Sequence, residues 1–75
     1  MKLQQIKHDH NYQFLLTFAN QETAKVDLEK LIFKHVNLEE IETARVNQDW
    51  GCLEFKNGAV DIEPKTLYKF CHKTN

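Results

Sequence analysis

The chain has little of what loosens a backbone: two glycines and one proline in 75 residues. No long flexible linker is written anywhere, because linkers are built mainly from Gly, Ser and Pro. Arginine is scarcer still, with Arg45 alone beside nine lysines. The ten basic residues face eleven acidic ones, a net charge of -1. Nucleic-acid binders draw much of their affinity from phosphates neutralised by a basic face, so direct nucleic-acid contact is disfavoured. No apolar run approaches the roughly 18 residues that span a bilayer. The opening "MKLQQIKHDH" also lacks the apolar centre of a signal peptide. The expectation is a cytoplasmic chain without membrane contact. Cys52 and Cys71 are then expected as free thiols, since the cytosol keeps most cysteines reduced.

What is present suits a globular fold. The apolar share is 41%, with five Phe, two Tyr and one Trp, well above the composition of a disordered chain. The length fits one small α+β domain over residues 1–75. A chain of this size buries only about 60% of its unfolded surface, so its stability is marginal. A partner, a second copy or a metal would each supplement it.

Periodicity places the elements. "YQFLLTFA" alternates, with Tyr12, Phe14, Leu16 and Phe18 on one face, which predicts a half-buried strand. "LQQIKHD" predicts a weaker strand before it, joined by a turn at Asp9-His10-Asn11. "TAKVDL" predicts a third after the turn chemistry of Asn20 to Glu22. From Leu28 the spacing changes to Leu28, Leu31, Ile32 and Val36, one face of a short helix. Asn37 is placed to cap a second helical piece, with Glu40 in the capping-box position three residues on. "ARVNQDWGCLEFKNG" predicts a hairpin with Asp49-Trp50-Gly51 at its tip, and Asn57-Gly58 is a strong turn signal. Pro64 suits the first position of a closing helix, with Glu63 or Asp61 capping the turn before it and an apolar stripe of Leu67, Phe70 and Cys71.

One phrase occurs twice: "KVDLEKLI" from Lys25 and "VDIEPKTLY" from Val60. In each, a valine ends a strand and an aspartate precedes a helix. Asp27 and Asp61 therefore read as helix-capping residues beside Asn37, stabilising free N–H groups at the positive end of the helix dipole. The echo also suggests two related strand–turn–strand–helix halves, "FANQETAKVDLEKLI" and "FKNGAVDIEPKTLY". The whole predicts a small antiparallel sheet, meander plus hairpin, packed on one face by short helices and a C-terminal helix.

No catalytic constellation is written at recognisable spacing. Asp27 and Asp61 as an acid–base pair would need contrasting environments flanking a cleft, whereas both have a structural role at a helix start. His8 and His10 would share a strand face and, with Cys71 or His72, form a zinc set. Zinc signatures pair Cys or His at both ends of the site, and here the cysteines are isolated, so no metal or other cofactor is expected. Whether His8 and His10 bind a metal stays open at this point. A nucleophilic Cys52 or Cys71 would need an adjacent base, and His72, next to Cys71 on a helix, diverges by about 100°. Lys30, Lys34, Lys65, Lys69 and Lys73 read as solvated helix faces. Trp50 at the hairpin tip, with Arg45 on the same hairpin, is the strongest contact candidate, because Trp, Tyr and Arg dominate binding hot spots.

The segment from Ala44 to Tyr68 resembles a bacterial family of small domains of unknown function. These close with an aromatic, a turn glycine and then Asp-Ile-x-Pro-x-x-Leu-Tyr, here Phe55, Gly58, Asp61, Ile62, Pro64, Leu67 and Tyr68. The alternating strand Tyr12, Phe14, Leu16, Phe18 and the Val26-Asp27-Leu28 step also fit. Phe55 stands where many members carry tryptophan, and Asn20-Gln21 replaces a glycine-containing pair. The resemblance implies an α+β domain with no established activity, in some members encoded beside another small protein in a toxin–antitoxin-like arrangement.

These readings converge on a non-enzymatic protein-interaction module, antitoxin-like, whose partner is another small protein or a second copy. Its contact residues are Trp50, Arg45 and Tyr68. The alternatives are a nucleic-acid-binding regulator and a small metal-dependent enzyme using His8, His10, Asp27 or Asp61.

Overall fold

Alternation writes the first half of the molecule. A computed structural model describes residues 1–72. In it β1 (Leu3–His10), β2 (Gln13–Phe18) and β3 (Thr23–Asp27) form an antiparallel meander in that order. Phe14, Leu16 and Phe18 are buried beneath β2, while Gln13, Leu15 and Thr17 face outward. The first turn falls one step later than expected, at Asn11-Tyr12, because β1 runs on to His10. Tyr12 is buried, and its hydroxyl donates to the Val36 carbonyl at 2.7 Å. That bond satisfies the polar end of a side chain whose ring fills the core.

The Leu28, Ile32, Val36 stripe is buried, but the helix it forms is only α1, Glu29–Ile32. The chain then turns into a 3-10 helix, Leu38–Thr43, with Asn37 as its N-cap. There the Glu40 carboxylate accepts from the Asn37 N–H at 2.9 Å, and the Glu40 N–H returns to the Asn37 carbonyl.

The second half builds its own sheet. β4 (Arg45–Val46), β5 (Leu53–Phe55) and β6 (Val60–Ile62) are a second antiparallel meander rather than an extension of the first. β1 instead meets the β4–β5 loop through one bond, from the Leu3 N–H to the Gly51 carbonyl at 2.9 Å. α2 (Pro64–Cys71) then opens on Pro64 and buries Leu67. One continuous core draws Phe14, Leu16 and Phe18 from the first sheet, Leu53, Phe55 and Ile62 from the second, and Ile32, Ile41 and Leu67 from the helices. The molecule is thus a small α+β fold of two three-stranded sheets and short helices.

Left-handed backbone recurs at the turns: Asn11 and Gln21 adopt it in the first sheet, and the second sheet uses it at both of its turns. Gly51 has φ +72°, and a Cβ there would lie 2.5 Å from Cβ of Lys2 and 2.9 Å from its Cα, so only glycine lets the N-terminus pass. At the β5–β6 turn, Lys56 and Asn57 join Gly58 at positive φ. Lys56 is held there by its N–H to Thr43 Oγ1 at 2.8 Å and its ammonium 3.4 Å from Glu40.

Candidate functional site

The outer face of the second sheet follows from its register. Arg45 pairs with Glu54 and Glu54 with Asp61, so one row across three strands carries a cation and two carboxylates. Val46, Leu53 and Ile62 form the adjoining row on the core side. Glu54 is 7% exposed although it stands on the outer face. It is fully partnered: Asn47 Nδ2 donates to one oxygen at 2.9 Å and Arg45 Nε to the other at 3.0 Å. These bonds, that of Asn47 foremost, hold its pKa below the usual carboxylate value. Asp61 and Glu63, by contrast, have no ion-pair partner among the described residues.

The β4–β5 loop then places Trp50. Asn47 Oδ1 accepts the N–H groups of Asp49 and Trp50, and Lys2 Nζ donates to the Asp49 carbonyl at 2.9 Å. The loop is therefore pinned at both sides, while Trp50 itself is 74% exposed. Trp50, Pro64, Cys52 and the carboxylate residues Glu54, Asp61 and Glu63 line an open groove of about 720 Å³. Burial, and then the charges of Asp61 and Glu54, push the Cys52 thiol up. The groove thus opposes anions and has an apolar wall.

The contact residues expected from sequence divide. Trp50 lines the groove, and Arg45 adjoins it only through its bond to Glu54. Tyr68 lies elsewhere: its hydroxyl donates to Glu22 Oε1 at 2.7 Å, and its ring meets Phe18 edge-on and stacks on His72 at 4.1 Å. His72 lies 3.0 Å from the other Glu22 oxygen. The Tyr68 hydrogen bond, followed by those of His72 and Asn20, lowers the Glu22 pKa. The backbone carbonyl of Tyr68, followed by Glu22, raises that of His72. This cluster fastens the last turn of α2 to the β2–β3 turn.

The repeated aspartates differ as well. Asp27 Oδ1 accepts the N–H of Glu29, the first residue of α1, at 2.9 Å. Asp61 makes no cap. It sits within β6, and the N-cap of α2 is Glu63, whose side chain makes no cap hydrogen bond. The physical reason is that β6 continues one residue past Asp61, which leaves it three residues before the first residue of α2, whereas Asp27 stands two before the first residue of α1. Asp27 and Asp61 also line different hollows, so the structure does not assemble them as a pair.

His8 Nε2 lies 2.8 Å from the Asn11 carbonyl, and His10 Nδ1 is 3.2 Å from Asp9. A register shift separates the two histidines, and no group of three metal-ligating side chains gathers among the described residues. Burial pushes the Cys71 thiol up, away from thiolate. Lys73 lies outside the described residues. A second hollow, of about 330 Å³ on the first sheet, sets Lys7 and Lys25 against Asp9 and Asp27 and presents no exposed aromatic.

Glu54, Asp61 and Glu63 as groove walls escaped sequence reasoning. The signal was there in the turn: a four-residue connection from Phe55 to Val60 fixes Glu54 opposite Asp61. No comparable signal joins Glu22 to His72, fifty residues apart.

A family model described as protein of unknown function (DUF2442) matches residues 3–73. The chain belongs to that family. No curated protein and no solved structure matches it. No helix among the described residues is long and apolar enough to cross a membrane.

Proposed function

We propose that this member of the DUF2442 family is a non-enzymatic interaction module that docks another small protein on the outer face of its second sheet. The observation that carries the reading is Trp50, the chain's one tryptophan, 74% exposed on a pinned loop beside an open groove. An indole left in water on an ordered loop forfeits the burial that tryptophan elsewhere supplies, and contact with a partner would recover it. Arg45 is already oriented by Glu54 and would serve the rim of the contact rather than its centre. The antitoxin-like form of the proposal, with the partner encoded beside this chain, draws its support from the closing Asp-Ile-x-Pro-x-x-Leu-Tyr resemblance.

The test is affinity capture from nuclease-treated extract of the source organism, with wild type and Trp50→Ala in parallel, followed by sizing of the eluate. One small protein at constant stoichiometry with wild type, lost with Trp50→Ala, is the expected outcome. Recovery of the chain alone at monomer mass sinks the proposal.

A further inference from the structure

Resting on that interaction reading, we infer that the groove beside Trp50 takes a cationic side chain, lysine or arginine, from a basic segment of the partner. The argument is one of charge and shape together. Glu54, Asp61 and Glu63 bring three carboxylates to one groove, and Arg45 is the one cation that bonds any of them among the described residues. That cation is spent on Glu54, which Asn47 also satisfies.

Asp61 stands directly across from Glu54 on the neighbouring strand. Like charges in that position destabilise a sheet, and nothing in the fold requires a carboxylate at this outward site. Arg45 and Asn47 already bond Glu54, whereas Asp61 has no ion-pair partner among the described residues and is the carboxylate an incoming cation can pair. Cys52 lies in the same groove, and burial first, then the charges of Asp61 and Glu54, raise its pKa. The exposed indole of Trp50 forms another wall of the groove, and an aromatic face attracts a desolvating ammonium or guanidinium through its quadrupole. The aliphatic stem of lysine or arginine would cover Pro64 and the indole while its charged head reaches the carboxylates. A phosphate or an acidic peptide meets the opposite: anions brought against unpaired carboxylates. The hollow on the first sheet lacks this asymmetry, since its two lysines face two aspartates.

Two end-capped decapeptides serve as probes, one alternating lysine with threonine and one alternating glutamate with threonine. Binding is followed in low salt by Trp50 fluorescence and by amide and indole shifts in two-dimensional NMR. The lysine peptide is expected to shift the Trp50 indole and the amides of Cys52, Asp61 and Glu63. The glutamate peptide should leave them in place. The double variant Asp61→Asn, Glu63→Gln is expected to weaken the lysine peptide by about three- to tenfold, the scale of two exposed ion pairs. Both changes are at exposed positions, so the fold survives them.

Equal binding of both peptides, unchanged affinity in the double variant, shifts centred on the first sheet, or no binding of the lysine peptide at millimolar concentration each overturn the inference. The capture experiment separates this from the broader reading. A partner lost with Trp50→Ala but kept by the double variant leaves the module standing and removes its cation specificity.

Discussion

The molecule writes the same plan twice, a three-stranded meander followed by a helix, and the two halves use it differently. Strands of eight, six and five residues make the first sheet, against two, three and three in the second. The long ladder sets its own register, because a one-residue slip would expose Phe14, Leu16 and Phe18 together. The short sheet is held from outside: by Leu3 and Lys2 across Gly51, by Thr43 and Glu40 around Lys56, and by the shared core. The outer surfaces differ accordingly. The first is balanced in charge, whereas the second collects carboxylates beside an exposed tryptophan. The half with the weaker sheet carries the stronger candidate for contact.

The comparison breaks if the halves are independent. Phe18→Ala and Phe55→Ala each delete a fully buried ring, one per sheet, and each is expected to cost about 3–5 kcal/mol. That is about half or more of the stability of a domain this size, roughly 4–11 kcal/mol. Because the core is shared, either variant should lower one common urea transition, seen alike by Trp50 fluorescence and by far-ultraviolet circular dichroism. Two separated transitions would show that each meander folds alone.

A smaller effect tests whether the second sheet is held from outside. Gly51→Ala forces a Cβ onto Lys2 at a positive φ and should cost about 2 kcal/mol or more in urea denaturation. Gly58→Ala has room for its Cβ, nearest Glu54 Oε2 at 3.8 Å, and should cost only about 1 kcal/mol. Equal losses would remove the N-terminal strap from the account.

The repeated aspartates sharpen the contrast further. Asp27→Ala loses a hydrogen bond at a helix start and should cost about 0.5–1 kcal/mol. Asp61→Ala relieves a like-charge pair and is expected to stabilise by a few tenths of a kcal/mol, about 0.5 at most. A loss at Asp61 equal to that at Asp27 would restore the symmetric reading of the phrase.

The smallest effect is the pH-dependent tie between the halves through Glu22 and His72. The His72 pKa is raised, so its contribution is complete below the ordinary value of about 6.5 and fades as pH rises through the higher folded value. The Glu22 pKa is lowered, so its contribution is complete above about 4.5 and fades as pH falls through the lower folded value. The difference in Tm between wild type and His72→Gln should therefore be largest between about pH 4.5 and 6.5 and shrink on both sides. A difference that stays the same well below pH 4.5 and well above pH 6.5 would show that the two charges do not interact.

Much of this was legible beforehand, for physical reasons that differ by element. Strand β2 and the Leu28, Ile32, Val36 stripe were readable because burial imposes a period on the chain. Gly51 and Pro64 were readable because backbone geometry restricts which residues fit. Trp50 stood out as an aromatic where a turn leaves little to cover it. Asp61 misled, because its phrase repeats that of Asp27 while its strand runs one residue further before the helix begins. Lys56 at positive φ was invisible, since its conformation is held by Thr43 and Glu40, thirteen and sixteen residues away.

The sequence by itself determined the α+β class, the order of the elements and the family, because periodicity, turn chemistry and a closing motif are local properties. Only the tertiary structure decided that the strands divide into two sheets, that Tyr68 is tied to Glu22, and that Glu54, Asp61 and Glu63 share a groove with Trp50. Those outcomes depend on register and on contacts between distant segments, which no local pattern of residues specifies.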